Sequence, residues 1–296
     1  MTLNNRGAWD FILLFRGKKL LLLLIVAYAI GVSTLLFQSL TNNPILTPSI
    51  LGFDALYLLL QTLLVFVLGT ISYIQLDSLS KFGFETALMI IASILLFRLL
   101  NKNNNSGDNE LGRVILVGVI FGILFRSLNQ LLQRLLDPMQ FAIVQGAYFA
   151  EFNTVKEPII WFALILVIIS AIFIWQLRFR LDVIALGKST AISLGISYQR
   201  CSFVILMWIA ILLSISTALV GPVSFFGLLV CALTNALSPT ASHGIRLPIV
   251  FMLSAITLIL GQAIFEHLFN MKTILSVIVE CIGGIVFLFL ILGRKK

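Results

Sequence analysis

Gln38-Ser39-Leu40-Thr41-Asn42-Asn43-Pro44-Ile45-Leu46-Thr47-Pro48-Ser49-Ile50-Leu51-Gly52 lies between two long apolar runs, 20–41 and 51–71. Two prolines among Asn and Thr residues break a helix and start a turn. Between apolar runs of this length, irregular backbone persists only where protein or a water-filled cavity satisfies its N–H and C=O groups. A plain connecting loop accounts for the prolines but not for the whole string. The stretch therefore reads as a structured break between two membrane-spanning helices.

The rest of the chain fits that reading. A hydrocarbon core about 30 Å thick needs roughly 20 apolar residues of helix. Nine runs have this character: 20–41, 51–71, 83–101, 113–133, 158–177, 201–219, 222–237, 247–269 and 274–293. Of the 296 residues 60% are hydrophobic and 11% charged, and the mean hydropathy is +1.09. Soluble domains carry about 25% charged residues, so lipid must solvate much of this surface. The expected fold is all-α, a polytopic transmembrane helical bundle of about nine spans. No polar stretch is long enough for a separate domain, so residues 1–296 are expected to form a single transmembrane domain. The first run is too long for a signal peptide.

The net charge of +8 does not point to nucleic acid, because the 20 Lys and Arg residues form short clusters between apolar runs. Topology and anionic lipid headgroups explain such clusters. Arg98, Lys102 and Arg113 flank one polar loop, with low-complexity sequence over 102–110; Arg178, Arg180, Lys188 and Arg200 mark another; Arg294-Lys295-Lys296 ends the chain. Alternating crossings put all three on one side, and the positive-inside rule makes that side the cytoplasm. Nine crossings then leave the N-terminus outside together with Arg6, Arg16, Lys18 and Lys19, charges that need a task there. Segment 178–200 is too polar to span and too apolar for a linker. Gly187 and Gly195 divide it into two expected short helices at the cytoplasmic face.

Little in the chain suggests covalent chemistry. Gly187-Lys188-Ser189 has the order of a phosphate-binding loop, but the glycine required five residues earlier is Asp182. His243 and His267 have no Cys partners at metal-ligand spacing. Cys201, Cys231 and Cys281 fit neither a disulfide framework nor a metal site. No Ser/His/Asp arrangement or carboxylate pair stands out, so no catalytic or metal-binding residue is expected. Polar groups inside spans are more informative, since a charge at the bilayer centre costs about 2.5–3.5 kcal/mol on insertion scales. Arg126, Asn129, Gln130 and Gln133 fall on one helical face. They form either a hydrogen-bonded seam between helices or part of a translocation pathway. Gly118 and Gly122 on the same run are a small-xxx-small pair that allows close helix approach.

The opening string resembles the Gln-x-x-x-x-Asn-Pro-Leu-Ala-x-Pro-x-x-Leu-Gly signature of the FecCD-type family, the ABC importer permeases for iron-siderophore, haem and cobalamin. It matches at Gln38, Asn43, Pro44, Pro48, Leu51 and Gly52, with Ile45-Leu46 replacing Leu-Ala. Ala185-Leu186-Gly187, with Lys188, Ala191, Leu194 and Gly195, is similar to the family's cytoplasmic segment of short helices that docks into ATPase subunits. Gly221-Pro222-Val223-Ser224-Phe225-Phe226-Gly227-Leu228 resembles a third family motif, and Gly146 and Gly284 match weaker family glycines. Family members usually have ten spans with a basic pair opening the second. Here that pair falls on Arg16 and Lys19, so by this resemblance the chain is expected to lack the family's first span. Departures include Cys231-Ala232-Leu233-Thr234-Asn235 for Pro-His-x-x-Arg, Thr273 to Val277 for Glu-Leu-Pro-x-Gly, and Glu266 for a late arginine.

The resemblance implies a type II ABC importer permease in a bacterial inner membrane, divergent and paired with a second permease subunit that is a distinct paralogue. Two ATPase subunits would bind ATP and Mg, leaving no cofactor in this chain. A periplasmic or lipid-anchored substrate-binding protein would deliver ferric siderophore, docking on Arg16 and Lys19. The pathway is expected at Gln38, Asn43, Pro44, Pro48, Arg126, Asn129 and Gln130. The rival is an ion-gradient-driven secondary transporter, which needs intramembrane carboxylates; Asp54, Glu85 and Glu280 are its candidates. A structural scaffold explains neither the broken helix nor the polar face.

Overall fold

The first apolar run lies within α1, a 33-residue helix over Trp9–Thr41. From Leu22 to Leu40 nearly every side chain of α1 is buried, with Val26, Ala29, Val32 and Leu35 fully enclosed. Lipid tails are as apolar as leucine, so burial of this kind comes from close packing rather than from escape from water. Small residues allow it. A Cβ on Gly31 would sit 2.2 Å from Ser254 Oγ, and one on Gly227 would sit 2.1 Å from Thr34 Oγ1. The hydroxyls of Thr34 and Ser39 donate to carbonyls one turn back, of Ile30 and Leu35, and are thereby satisfied in an apolar setting.

The computed structural model describes residues 9–101, 110–146, 148, 152, 157–238, 242–268 and 284–285. After α1 come a 3-10 turn at Pro48–Leu51, α2 (Phe53–Gln75), α3 (Ser78–Asn101), α4 (Glu110–Gln133) and α5 (Pro138–Gly146). The second half comprises α6 (Glu157–Ile184), α7 (Lys188–Ser193), α8 (Tyr198–Val220), α9 (Phe226–Leu237) and α10 (His243–Leu268). Seven helices among the described residues are long and apolar enough to cross a membrane: α1, α2, α3, α4, α6, α8 and α10. α1 stands at the centre and packs on α6, α8, α9 and α10, while α2 lies along α4 and α3 along α8.

One expected span differs, and another falls outside the described residues. The run 222–237 yields only the 12 residues of α9, about 18 Å of helix and shorter than the hydrocarbon core. Gly221 at φ 93° ends α8, and Pro222 has no N–H to continue it. The run 274–293 lies outside the described residues except for Gly284 and Ile285.

Polar contacts fix the relative directions of the helices. Lys18 near the start of α1 bonds Glu157 at the start of α6, at 2.5 Å. Near their other ends, Ser39 and Asp182 both bond His243, the first residue of α10. Thus α1 and α6 run parallel and α10 runs against them. α8 starts beside the end of α6, since Leu177, Arg180, Ser197 and Arg200 line one cavity of about 330 Å³. The two ends of the bundle are therefore distinct: one holds Lys18 and Glu157, the other the stretch from Asp182 to Arg200.

Candidate functional site

The break after α1 is ordered by its own side chains. Asn42 takes a left-handed conformation (φ 49°), which Asn tolerates better than most residues. The backbone N–H of Asn43 donates to Gln38 O (3.2 Å), and Asn43 Oδ1 accepts from the Ile45 N–H at 3.0 Å. Gln38 is buried and its Nε2 donates to the Pro44 carbonyl at 2.8 Å, tying the helix end to the irregular chain. Gln38 Oε1 is buried with no hydrogen-bond partner in the described structure. Pro48 opens the 3-10 turn, where its missing N–H costs nothing.

Gly52 closes the break at φ 85° and lies against α4. A Cβ at Gly52 would fall 2.7 Å from Gly122 Cα, and one at Gly118 would fall 2.6 Å from Leu51 Cδ2. The Gly118/Gly122 pair thus receives the last two residues of the signature, backbone on backbone. One turn into α2, Asp54 accepts from the Ser224 hydroxyl (2.7 Å) and from Ser49, and lies in the field of Arg126. Three stretches far apart in sequence therefore meet here: the break, residues 221–228, and the glycine-bearing face of α4.

The polar face read on α4 divides into two. Asn129 is buried, accepting from Thr62 Oγ1 at 2.5 Å and donating to the Tyr148 hydroxyl at 2.7 Å. Gln133 joins it, bonding the same tyrosine hydroxyl. These two make a seam against α2 and the residues after α5. Arg126 and Gln130 are exposed on the protomer, each about 60° round the helix from the nearer-lying seam residue three positions on, at the open edge of the same face. The one polar face thus holds a buried seam at Asn129 and Gln133 and an open edge at Arg126 and Gln130.

Residues 185–195 form one short helix, not two. Arg178 to Ile184 continue α6, and only α7 follows, bounded by Gly187 (φ 99°) and Gly195 (φ 83°). Those φ values suit glycine and strain other residues. Ala191 is fully buried against the bundle, while Leu186, Ile192 and Leu194 are exposed, 54–60% accessible. An apolar knuckle thus projects at one end of the protomer. Ala185 and Lys188 are half-buried at its base. Arg16 and Lys19 lie half-buried at the opposite end, beside the Lys18–Glu157 pair.

Two side-chain clusters join residues of different helices that no local spacing connects. Asp182 Oδ1 accepts from both the backbone N–H (2.6 Å) and Nδ1–H (2.7 Å) of His243, whose Nε2 lies 2.7 Å from Ser39 Oγ. The three residues are separated by 143 positions from Ser39 to Asp182 and by 61 more to His243, so no local spacing reveals them. The second cluster joins α2 and α3: Gln61 Nε2 donates to buried Glu85 at 2.7 Å, Tyr73 OH donates to Gln61, and Lys81 bonds Tyr73 and lies 3.8 Å from Glu85. Tyr73 reaches back across twelve residues because α2 kinks at Gly69 (φ 74°). A glycine within an apolar run was the one hint available.

Comparison with known proteins agrees with this geometry. The family model for the FecCD transport family matches residues 2–293. The petrobactin import system permease protein YclO of Bacillus subtilis is 38% identical over 290 residues, covering 98% of this chain and 91% of that one. The petrobactin import system permease protein FatC of Bacillus anthracis is 34% identical over 273 residues, 92% of this chain and 76% of that one. Among solved structures, one described as an inward-facing conformation of a metal-chelate type ABC transporter matches with a TM-score of 0.83 at 21% identity, over 99% of this chain and 92% of its own. At that identity the likeness establishes the fold.

Proposed function

This chain belongs to the FecCD transport family, and on that basis we propose that it is the permease subunit of an ATP-driven importer carrying ferric siderophore into the cytoplasm. The observation that carries the proposal is the pairing of α7, an apolar knuckle held between two left-handed glycines, with the ordered break at 38–52 on the same half of the protomer. The 38% and 34% identity to petrobactin permeases favours a siderophore of that chemical class as cargo.

The remaining parts follow from this reading. The end with Asp182 to Arg200 faces the cytoplasm, where α7 docks on the ATPase subunits through Ala185, Leu186, Gly187, Lys188, Ala191, Leu194 and Gly195. ATP and Mg bind those subunits, and this chain, a single domain, performs no covalent chemistry. Arg16 and Lys19 face outward and meet acidic groups of the substrate-binding protein. Both α8 and α10 start at the cytoplasmic end, so residues 221–242 return across the bilayer as a broken segment built around α9. Counting the apolar run 274–293 of the sequence as a further span, this reading has nine crossings. The exposed edge of α4 with Arg126 and Gln130 turns to the second permease, and the pathway runs between the subunits past the break at Gln38, Asn43, Pro44 and Pro48, with Asn129 in the seam behind it. The membrane is the bacterial inner, cytoplasmic one.

Purification from the native membrane in mild detergent, with mass spectrometry of what accompanies the chain, tests the assembly. An ATPase, a related permease and ATP-dependent uptake of ferric petrobactin in liposomes are expected. A chain that comes out alone and transports on an ion gradient without ATP would instead make Glu85, in its Lys81–Gln61 cluster, the coupling carboxylate of a secondary transporter.

A further inference from the structure

The Asp182–His243–Ser39 cluster joins two parts of the proposed machinery that are otherwise remote. Asp182 lies three residues before Ala185, in the last turn of α6. The chain leaves that turn without slack: Ala185 N–H donates to Leu181 O (3.0 Å), Gly187 N–H to Ile184 O (3.0 Å) and Ala191 N–H to Gly187 O (3.0 Å). Ser39 lies one residue after Gln38, whose amide holds the Pro44 carbonyl. His243 stands between them at the first turn of α10, fully buried, and Ser39 is 7% exposed. Two side-chain contacts therefore connect the turn before α7 to the break after α1.

The order Asp–His–Ser and the 2.7 Å spacings are those of a hydrolytic triad, but the setting is not. His243 has no exposure, and Ser39 sits inside a helix with its hydroxyl also 2.8 Å from the Leu35 carbonyl. No substrate carbonyl can approach either group. A carboxylate only accepts, so Nδ1 donates to Asp182, while Nε2 lies 2.7 Å from the Ser39 hydroxyl, whose single proton is shared between Nε2 and the Leu35 carbonyl. The bonds lie in an apolar interior where no water replaces a lost partner, so the three helix ends move as one body or the contact breaks as a unit. Coupling between sites requires such an element, with two arrangements that both sites bias.

We propose that His243 is a positioning residue that links the ATPase-docking segment to the break at 38–52, through Asp182 on one side and Ser39 on the other. The inference rests on the reading of residues 185–195 as that segment. In the mechanism this implies, movement of α7 on ATP binding pulls α6 and, through the imidazole, the end of α1. Gln38 then re-aims the Asn43–Pro44 turn.

The test uses the complete complex in liposomes and reads siderophore transported per ATP hydrolysed. Ser39→Ala, which removes one hydroxyl, is expected to lower that ratio at least about five-fold, the low end of ordinary coupling factors, with ATP hydrolysis retained and the complex still assembled. His243→Phe is expected to do the same, and the double variant to be no worse than either single one, because both break one link. Ser39→Thr, which keeps the hydroxyl, restores the ratio. Wild-type ratios in both single variants, or losses that multiply in the double variant, overturn the link. A wild-type complex that neither assembles with an ATPase nor hydrolyses ATP overturns the underlying function instead, and that is read before any variant is made.

Discussion

α1 and α4 are both apolar and long enough to cross a bilayer, yet 78% of the spanning window of α1 is buried in the protomer against 17% for α4. The difference lies in where their small residues sit. α1 carries Ala27, Ala29, Gly31, Ser33 and Thr34 on several sides, and neighbours close in all round it. α4 has its packed glycines, Gly118 and Gly122, on one side only, and Leu116, Ile120, Ile123 and Leu131 are 55–61% exposed. In lipid, apolar character makes a helix compatible with its solvent but does not draw it to a neighbour; close approach of backbones does. A helix that is small-sided all round becomes a core, and one that is small on a single side keeps a free edge for lipid or another subunit.

Gly52→Val should break the one packed side of α4 and give the largest effect. The added Cβ meets the Gly122 backbone at 2.7 Å, and the residue must hold φ 85°. Overpacking of about 1–3 kcal/mol and a left-handed penalty of about 1–2 kcal/mol apply together. Thermal unfolding of the detergent-solubilised protein should show it; a melting temperature like that of the wild type would mean α4 does not depend on this contact. Gly31→Leu attacks α1 itself, where Ser254 can rotate aside, so the expected loss is smaller, roughly 1–3 kcal/mol. If it costs less than Ile123→Ala on α4, the contrast between the two helices is wrong.

Arg126→Leu sharpens the comparison from the other side. An exposed residue should change protomer stability by no more than about 0.5 kcal/mol, while transport by the assembled complex falls. Unfolding on this substitution would return Arg126 to the structural seam with Asn129. The smallest effect is expected from Lys18→Ala, which removes an exposed ion pair with Glu157. Exposed pairs contribute little, so no measurable shift in melting temperature should follow, and a clear drop would show that the pair anchors α1 to α6.

Much of the fold was legible because apolar length alone selects spanning helices. Six runs lie within helices at nearly the expected positions, and a seventh, 247–269, within α10. Run 222–237 misled because hydropathy does not register Gly221 and Pro222 as the end of α8 and the start of a shorter helix. The Gly118/Gly122 pair was legible as a contact surface but not as the seat of Gly52. The face of α4 was legible as polar, though helical spacing did not say that Asn129 turns inward and Arg126 outward. Gly187 and Gly195 marked the bounds of α7, but the first supposed short helix simply extends α6.

From the sequence alone came membrane residence, the approximate spans, the polar break with its two prolines, and the family signature in three ordered motifs. Each of these depends on local composition or on residues within one turn or loop, where physics acts over a few ångströms of chain. Tertiary structure decided which helix is core and which keeps an edge, the meeting of Gly52 with Gly122, and the bond of His243 to both Asp182 and Ser39. Those facts concern residues tens to hundreds of positions apart, and only three-dimensional packing brings such residues within the few ångströms over which side chains interact.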